Sequence, residues 1–279
     1  MESARVIDAR APGWQNGQVV GTAFGHKTGH TADPAHDLLV ALPDGMDPLL
    51  GIFVGQMGPI AANGILHADA EMFGSAVPHL GASLQGRPAL IWGGGTVGLF
   101  CALFAQAAGA SEVVVVDPSP FRQDIIRKLG MIAMDEDAAV AHAKSAWHDR
   151  HGGRGAEVVF QTRAHSGSLH RALAALRPQG TVIDLAFYQG GLPDLRLGEE
   201  FHHNGLRLIC AQINRMPRRL AADWTQGRLA LETLRLLDRR GPDIRRHMIT
   251  HVVSYDEAPH FLERLVSDRF DFLQVVFAT

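Results

Sequence analysis

The residues best equipped for chemistry are Gly93-Gly94-Gly95-Thr96-Val97-Gly98 and the acid that follows them, Asp117. Gly93 permits a tight turn. Gly95 lets backbone amides approach a pyrophosphate, and Gly98 lets a helix pack closely on a sheet. Thr96 and Val97 would open that helix, whose first-turn N–H groups and partial positive charge suit phosphates. Asp117 is placed to accept hydrogen bonds from an adenosine ribose, favouring NAD over NADP because a 2′-phosphate would be repelled. The same residues are compatible with S-adenosylmethionine binding, or with a glycine turn that serves packing alone.

The flanking pattern favours a dinucleotide. Residues 89–92 form an apolar run of strand length. Val97, Phe100, Cys101, Phe104, Ala105 and Ala108 recur at helical spacing. Gly109 ends the helix, and 113–116 reads as the next buried strand. Further along, helices are expected at 120–129, 136–147 and 168–176, and strands at 158–160, 181–187 and 207–212. This alternation predicts an α/β fold, a doubly wound parallel sheet of Rossmann type. A long helix is expected at 218–237, then a strand at 249–253. Ser254-Tyr255-Asp256-Glu257 has the form of a capping box, with its helix running to 265. A last strand is expected at 272–277. Upstream, 1–50 reads as short strands and loops, and Pro59 could open a helix within 49–72.

The composition is that of an ordinary water-soluble protein, and the length suits one large domain or two modest ones. The 279 residues are 46% apolar and 20% charged, with a formal net charge of −3, which disfavours nucleic acid as a partner. No apolar run is long enough for a membrane span and the N-terminus lacks a signal core, so a cytoplasmic location is expected. The two cysteines, Cys101 and Cys210, read as core residues and cannot form a four-cysteine metal site.

Seven segments carry a resemblance: LPDGMDP, GPIAANGIL, IWGGGTVGLFCALFAQAAGASEVVVVD, PSPFRQDIIRKLG, GAEVVF, ALAALRPQGTVIDL and ITHVVSYDEAPHFLERL. In order and spacing they resemble the medium-chain dehydrogenase/reductases, the alcohol dehydrogenase superfamily, from about Leu42 onward. Within it the chain is most similar to polyol and zinc alcohol dehydrogenase-like members. The resemblance implies a Rossmann domain at 56–245. It also implies a reduced GroES-like, β-rich substrate domain built from 1–55 and 246–279. The segment before the glycine turn is shorter than in the family, and the motifs supplying zinc ligands are not found in it. Gly58 stands where the family's Glu-Pro-Leu-Ala motif has an acid, and a glycine cannot ligate. The expectation is therefore NAD, with NADP possible, and no zinc. His26 and His30 are four apart on a glycine-rich loop and read more simply as surface or packing residues than as a replacement site.

The resemblance also places residues around the cofactor. Arg122 follows Asp117 as in the family's Asp-x-Ser-Pro-x-Arg and belongs with the adenosine side. FQTRAHS resembles the loop near the nicotinamide, with Gln161 in place of an acid and Arg163 where a threonine is usual. Phe187 joins these as a cofactor residue. For catalysis the candidates are Gln56 and Asn63, flanking GPIA; His67, one helical turn past Asn63; and Tyr188, near a strand's carboxyl end. His26, His30, His202 and His203 are further candidate proton donors among fifteen histidines.

Without zinc, hydrogen-bond donors must stabilise a developing alkoxide. An activated alkene or quinone would instead place the charge on an existing carbonyl. The first reading is a zinc-independent NAD(P) oxidoreductase acting on an activated alkene, quinone, carbonyl or alcohol. The alternatives are an NAD-retaining enzyme of net non-redox chemistry (epimerisation or elimination) and a non-catalytic dinucleotide-binding partner module. A homodimer is expected, paired through the 181–212 edge that the resemblance indicates.

Overall fold

The computed structural model describes residues 1–268 and 270–279. In chain order the elements are β1 (Glu2–Arg5), β2 (Val19–Thr22), β3 (Leu39–Ala41), α1 (Met57–Phe73), β4 (Pro88–Trp92), α2 (Thr96–Ala107), β5 (Glu112–Val116), α3 (Pro120–Lys128), β6 (Ile132–Met134) and α4 (Glu136–Ala146). They continue with β7 (Ala156–Gln161), α5 (Ser166–Ala174), β8 (Leu176–Asp184), α6 (Glu200–His203), β9 (Arg207–Cys210), α7 (Gln226–His247), β10 (Ile249–Ser254), α8 (Ala258–Ser267) and β11 (Gln274–Ala278). Two compact units emerge: Met1–Pro59 with Ala230–Thr279, and Ile60–Leu229.

The second unit is built on a six-stranded sheet in the order β6-β5-β4-β7-β8-β9, parallel throughout. Its central strands are buried on both faces, as their unbroken apolar runs require: Ala89 to Trp92, Val114 to Val116 and Val159 to Phe160 are fully enclosed. Each buried large apolar side chain contributes about 2 kcal/mol. The strand order reverses between β4 and β7, and in open parallel sheets a ligand crevice is expected at such a reversal, beyond the carboxyl ends of the strands. Register fixes what borders it. Met134, Val116, Trp92, Gln161, Asp184 and Cys210 form one row across the sheet, each the last residue of its strand.

The first unit holds a three-stranded antiparallel sheet, β1-β2-β3, and a parallel pair, β10-β11. Its loops pack closely on glycines: a Cβ at Gly55 would stand 2.2 Å from the Thr22 carbonyl oxygen. Asp47 caps the turn of 3-10 helix at Pro48–Phe53 through the Leu49 amide and receives Arg245 Nε at 3.0 Å.

Several sequence expectations shift. The helix expected at 218–237 is α7, starting eight residues later. Pro217 and Leu220 anchor turns before it, and Thr225 accepts the Arg228 amide at 3.1 Å to open it. The buried Leu220 and Trp224, whose spacing fits a helical stripe, lie in those turns. Ser254 stands at the N-cap of a 3-10 turn at Tyr255–Glu257, not of α8, and its side chain makes no capping bond. It pairs with Ala278 in β10-β11, and the 3-10 turn precedes α8. The strand expected at 181–187 runs over Leu176–Asp184 and stops where Asp184 Oδ1 accepts the Ala186 amide at 3.0 Å. Phe187 and Tyr188 therefore lie in the loop beyond it. β1 and β6 were not foreseen; at four and three residues they carry little pattern.

Candidate functional site

The glycine turn is held from three sides. Gly93 has φ +108°, and its amide donates to the Val116 carbonyl at 2.8 Å. A Cβ on Gly93 would meet Thr162 Oγ1 at 2.6 Å, and one on Gly98 would stand 1.8 Å from the Gly93 carbonyl oxygen. Neither position accepts a side chain. Thr162 Oγ1 donates to the Trp92 carbonyl at 2.8 Å, tying the end of β7 to the turn. Gly95 is the N-cap of α2 and offers no side-chain acceptor to the first-turn amides. Gly95, Thr96 and Val97 are partly exposed while Gly93, Gly94 and Gly98 are buried, so the open part of the turn is the helix N-terminus. An open helix N-terminus of this kind suits an anion such as a pyrophosphate.

Asp117 braces the turn. Its Oδ2 accepts the Gly94 amide at 2.8 Å and its Oδ1 the Ser119 amide at 2.9 Å. Its side chain is 3% exposed, and Arg122 Nη1 lies 3.5 Å from Oδ2. Oδ2 is thus shared by the Gly94 amide and Arg122, while Oδ1 has lone-pair capacity beyond the Ser119 bond.

Beyond Thr162 a second cluster borders the crevice. Gln161 is fully buried; its Nε2 donates to the Arg163 carbonyl at 2.8 Å and to Tyr188 Oη at 3.2 Å. Tyr188 Oη lies 3.2 Å from Asp184 Oδ1. Burial pushes the Asp184 carboxyl up to about 6 against the pull of hydrogen bonds from Ala186 and Tyr188. Burial, with the Asp184 charge, drives the Tyr188 phenol well above its ordinary range. Gln161 Oε1 is buried without a partner.

Arg163 turns to Glu136, donating at 2.8 Å. Glu136 also receives Ser168 Oγ at 2.6 Å and Trp92 Nε1 at 3.2 Å. Burial opposes its charge, but Ser168, Trp92 and the charges of Arg163 and Arg171 outweigh it, and the carboxyl sits below the usual range.

Asn63 and His67 do share a face of α1, and both grip one turn. Asn63 Nδ2 donates to the Gln212 carbonyl at 2.9 Å and the Arg215 carbonyl at 3.3 Å; His67 Nε2 donates to the Arg215 carbonyl at 3.1 Å. Burial lowers the His67 pKa despite that bond. Gln56 lies in the turn before α1, in the other unit. Phe187 is 77% exposed. His30 stacks on Phe24, with ring centroids 3.8 Å apart, and His202 and His203 are exposed on α6. Gly58 is packed against Thr233: a Cβ there would stand 2.2 Å from Thr233 Cγ2, leaving no room for an acid. Among the described residues no three His, Cys, Asp or Glu side chains group as a metal site.

Sequence reasoning missed Asp184, Thr162 and Glu136. Asp184 had a signal: like Asp117, it is an acid closing a buried apolar strand at the carboxyl edge of the sheet.

Comparison with known proteins bears on the lineage. A family profile described as zinc-binding dehydrogenase matches residues 96–222, which contain α2, the Asp117 turn and the Gln161–Asp184–Tyr188 cluster. Over that stretch, less than half of its length, the chain is similar to zinc-binding dehydrogenases. It is 36% identical over 110 residues to a probable D-xylulose reductase A of Aspergillus clavatus, a match covering 38% of this chain and 29% of the relative. With the D-xylulose reductase A of Aspergillus oryzae the identity is 31% over the same length. The matched stretch thus spans less than a third of those relatives. Among solved structures, an Escherichia coli oxidoreductase/dehydrogenase of unknown specificity superimposes with a TM-score of 0.70 at 18% identity, covering 99% of this chain and 81% of the other. A Sinorhizobium meliloti zinc-binding dehydrogenase described as bound to NADP gives 0.66 at 18%, covering 99% and 82%. Galactitol-1-phosphate dehydrogenase from Escherichia coli gives 0.64 at 19%, covering 86% and 63%. At these identities the structures speak to fold alone.

Proposed function

We propose that this protein is a medium-chain dehydrogenase/reductase, an NAD(P)-dependent, zinc-independent oxidoreductase acting on a small carbonyl or alcohol, or on an activated alkene or quinone. The observation that carries this reading is the glycine turn, closed to side chains at Gly93 and Gly98 and open at the N-terminus of α2. The turn would hold the pyrophosphate, with Asp117 and Arg122 on the adenosine side and Gln161 and Phe187 toward the nicotinamide. A bound dinucleotide supplies or accepts hydride. The chain's part is to orient the reacting carbonyl and to move a proton at its oxygen, and Tyr188 is the hydroxyl group offered at the carboxyl end of the sheet. Zinc independence is supported by Gly58, whose packing on Thr233 excludes the acid the superfamily motif would place there. For assembly we propose a second copy along β9, an edge strand with Leu208 37% exposed.

The test is a steady-state assay of chelator-treated protein with NADH or NADPH against an enone, a quinone, an aldehyde and a ketose, alongside a metal assay. Turnover without metal supports the reading. Turnover that appears only when zinc is returned contradicts zinc independence, and a monomer by sedimentation contradicts the assembly.

A further inference from the structure

The hydrogen-bond directions in the β7–β8 cluster are fixed by chemistry. The Arg163 carbonyl can only accept, so the Gln161 amide must point Nε2 toward it. The second Nε2 hydrogen then goes to Tyr188 Oη. Oη therefore accepts from Gln161, and its single hydrogen faces Asp184 Oδ1. Oδ1 also takes the Ala186 amide. A ligand oxygen that needs the Tyr188 hydrogen must compete with Asp184 for it.

The surroundings leave Asp184 without a countercharge. Gln161 faces it from β7. Just past β7, the Arg163 guanidinium is committed to Glu136. Ser166 at the start of α5 is bonded to Asp194, and Cys210 is the register neighbour on β9. Among the described residues no ion pair reaches Asp184. An asparagine would make the same bonds to Ala186 and Tyr188 without the cost of burying a carboxylate, so the acid calls for another explanation. Its pKa, raised by burial to about 6, lets it change charge near neutral pH. Beside it, Gln161 Oε1 is a buried acceptor without a partner.

We propose that Asp184 governs the Tyr188 hydrogen: as a carboxylate it holds it, and when protonated it releases it toward the oxygen of a bound carbonyl substrate. Tyr188 is then the proton donor and Asp184 its positioning residue. The inference rests on the hydride-transfer reading above. The proton balance closes with one proton taken from solvent. The Oη–H bond breaks as the alcohol O–H bond forms, Asp184 returns a proton to Oη, and solvent returns one to Asp184. The electron pair at carbon is the hydride of the reduced dinucleotide.

The chain has two tyrosines, Tyr188 and Tyr255, which makes Tyr188 directly readable. Ultraviolet pH titration of the cofactor-free protein should show Tyr188 resisting ionisation. Asp184→Asn should bring Tyr188 ionisation down by ~1 pH unit or more, through loss of a neighbouring negative charge. Tyr188→Phe identifies the transition. The infrared band of a protonated carboxyl that appears in wild type below pH about 6 should be missing in Asp184→Asn. In turnover, wild-type carbonyl reduction should fall as pH rises through about 6, and Asp184→Asn should be flat there. Tyr188→Phe should lose about 100-fold in kcat, with dinucleotide affinity unchanged. Unmoved tyrosine ionisation, or the wild-type pH profile persisting in Asp184→Asn, overturns the inference while leaving dinucleotide binding intact. Failure of wild type to bind NADH and NADPH overturns the underlying reading instead.

Discussion

The Asp117 carboxylate accepts the Gly94 amide at 2.8 Å, so the acid proposed to read the ribose also builds the turn proposed to receive the phosphates. On that proposal, recognition and scaffold are coupled in one side chain. Asp117→Ala would leave the Gly94 and Ser119 amides without their acceptor, at a cost of about 1–3 kcal/mol each. A lowered melting temperature together with weakened NADH binding is the expected result. Asp117→Asn keeps one acceptor oxygen and should lose less stability.

Gly98 and Gly109 separate packing from backbone strain. Gly98→Ala places a Cβ 1.8 Å from the Gly93 carbonyl oxygen and should displace the turn, abolishing dinucleotide binding and costing about 3 kcal/mol. Gly109 has φ +79° and open space around it, so Gly109→Ala should cost only about 1–2 kcal/mol and leave binding intact. Denaturant melts paired with NADH titrations distinguish the two.

His67 and Asp184 give opposite pH signatures. The folded-state pKa of His67 is lowered, so the unfolded chain binds its proton more readily. Its effect is lost stability as pH falls below about 6.5, and His67→Gln should flatten that limb. Asp184 is raised to about 6, so the folded state binds the proton more readily. Its contribution is present at low pH and lost as pH rises from about 4 to about 6. Asp184→Asn should therefore be more stable than wild type at pH about 7, by on the order of 1–3 kcal/mol. Urea melts across this range read both slopes.

Gly58→Glu tests whether the missing acid could be restored. The side chain would collide with Thr233, and the variant should be destabilised without gaining stoichiometric zinc. A well-folded variant that binds zinc would show the site to be latent.

The glycine turn, its strand and its helix were legible because three constraints coincide there: the 89–92 apolar run, the 3.6 period after it and the glycine spacing. The parallel sheet was legible for the same reason, since strands buried on both faces read as unbroken apolar runs. Local pattern failed where tertiary contacts set the outcome. Leu220 and Trp224 have helical spacing but are buried in turns, and Ser254 has a capping sequence but is claimed by β11. Among the proposed site residues, helical spacing placed Asn63 and His67 on one face of α1. Only the structure shows both holding the Gln212–Arg215 turn. Asp184 escaped notice because its environment comes from Gln161 and Tyr188, and the Gln161 contact depends on strand register.

The most direct measurement of the central claim is calorimetric titration of metal-free protein with NADH and NADPH, beside the Gly98→Ala variant. Saturable one-to-one binding of either dinucleotide by wild type, lost in the variant, is the predicted result. Absence of binding to both, or equal binding by the variant, would contradict a dinucleotide site at the Gly93–Gly98 turn.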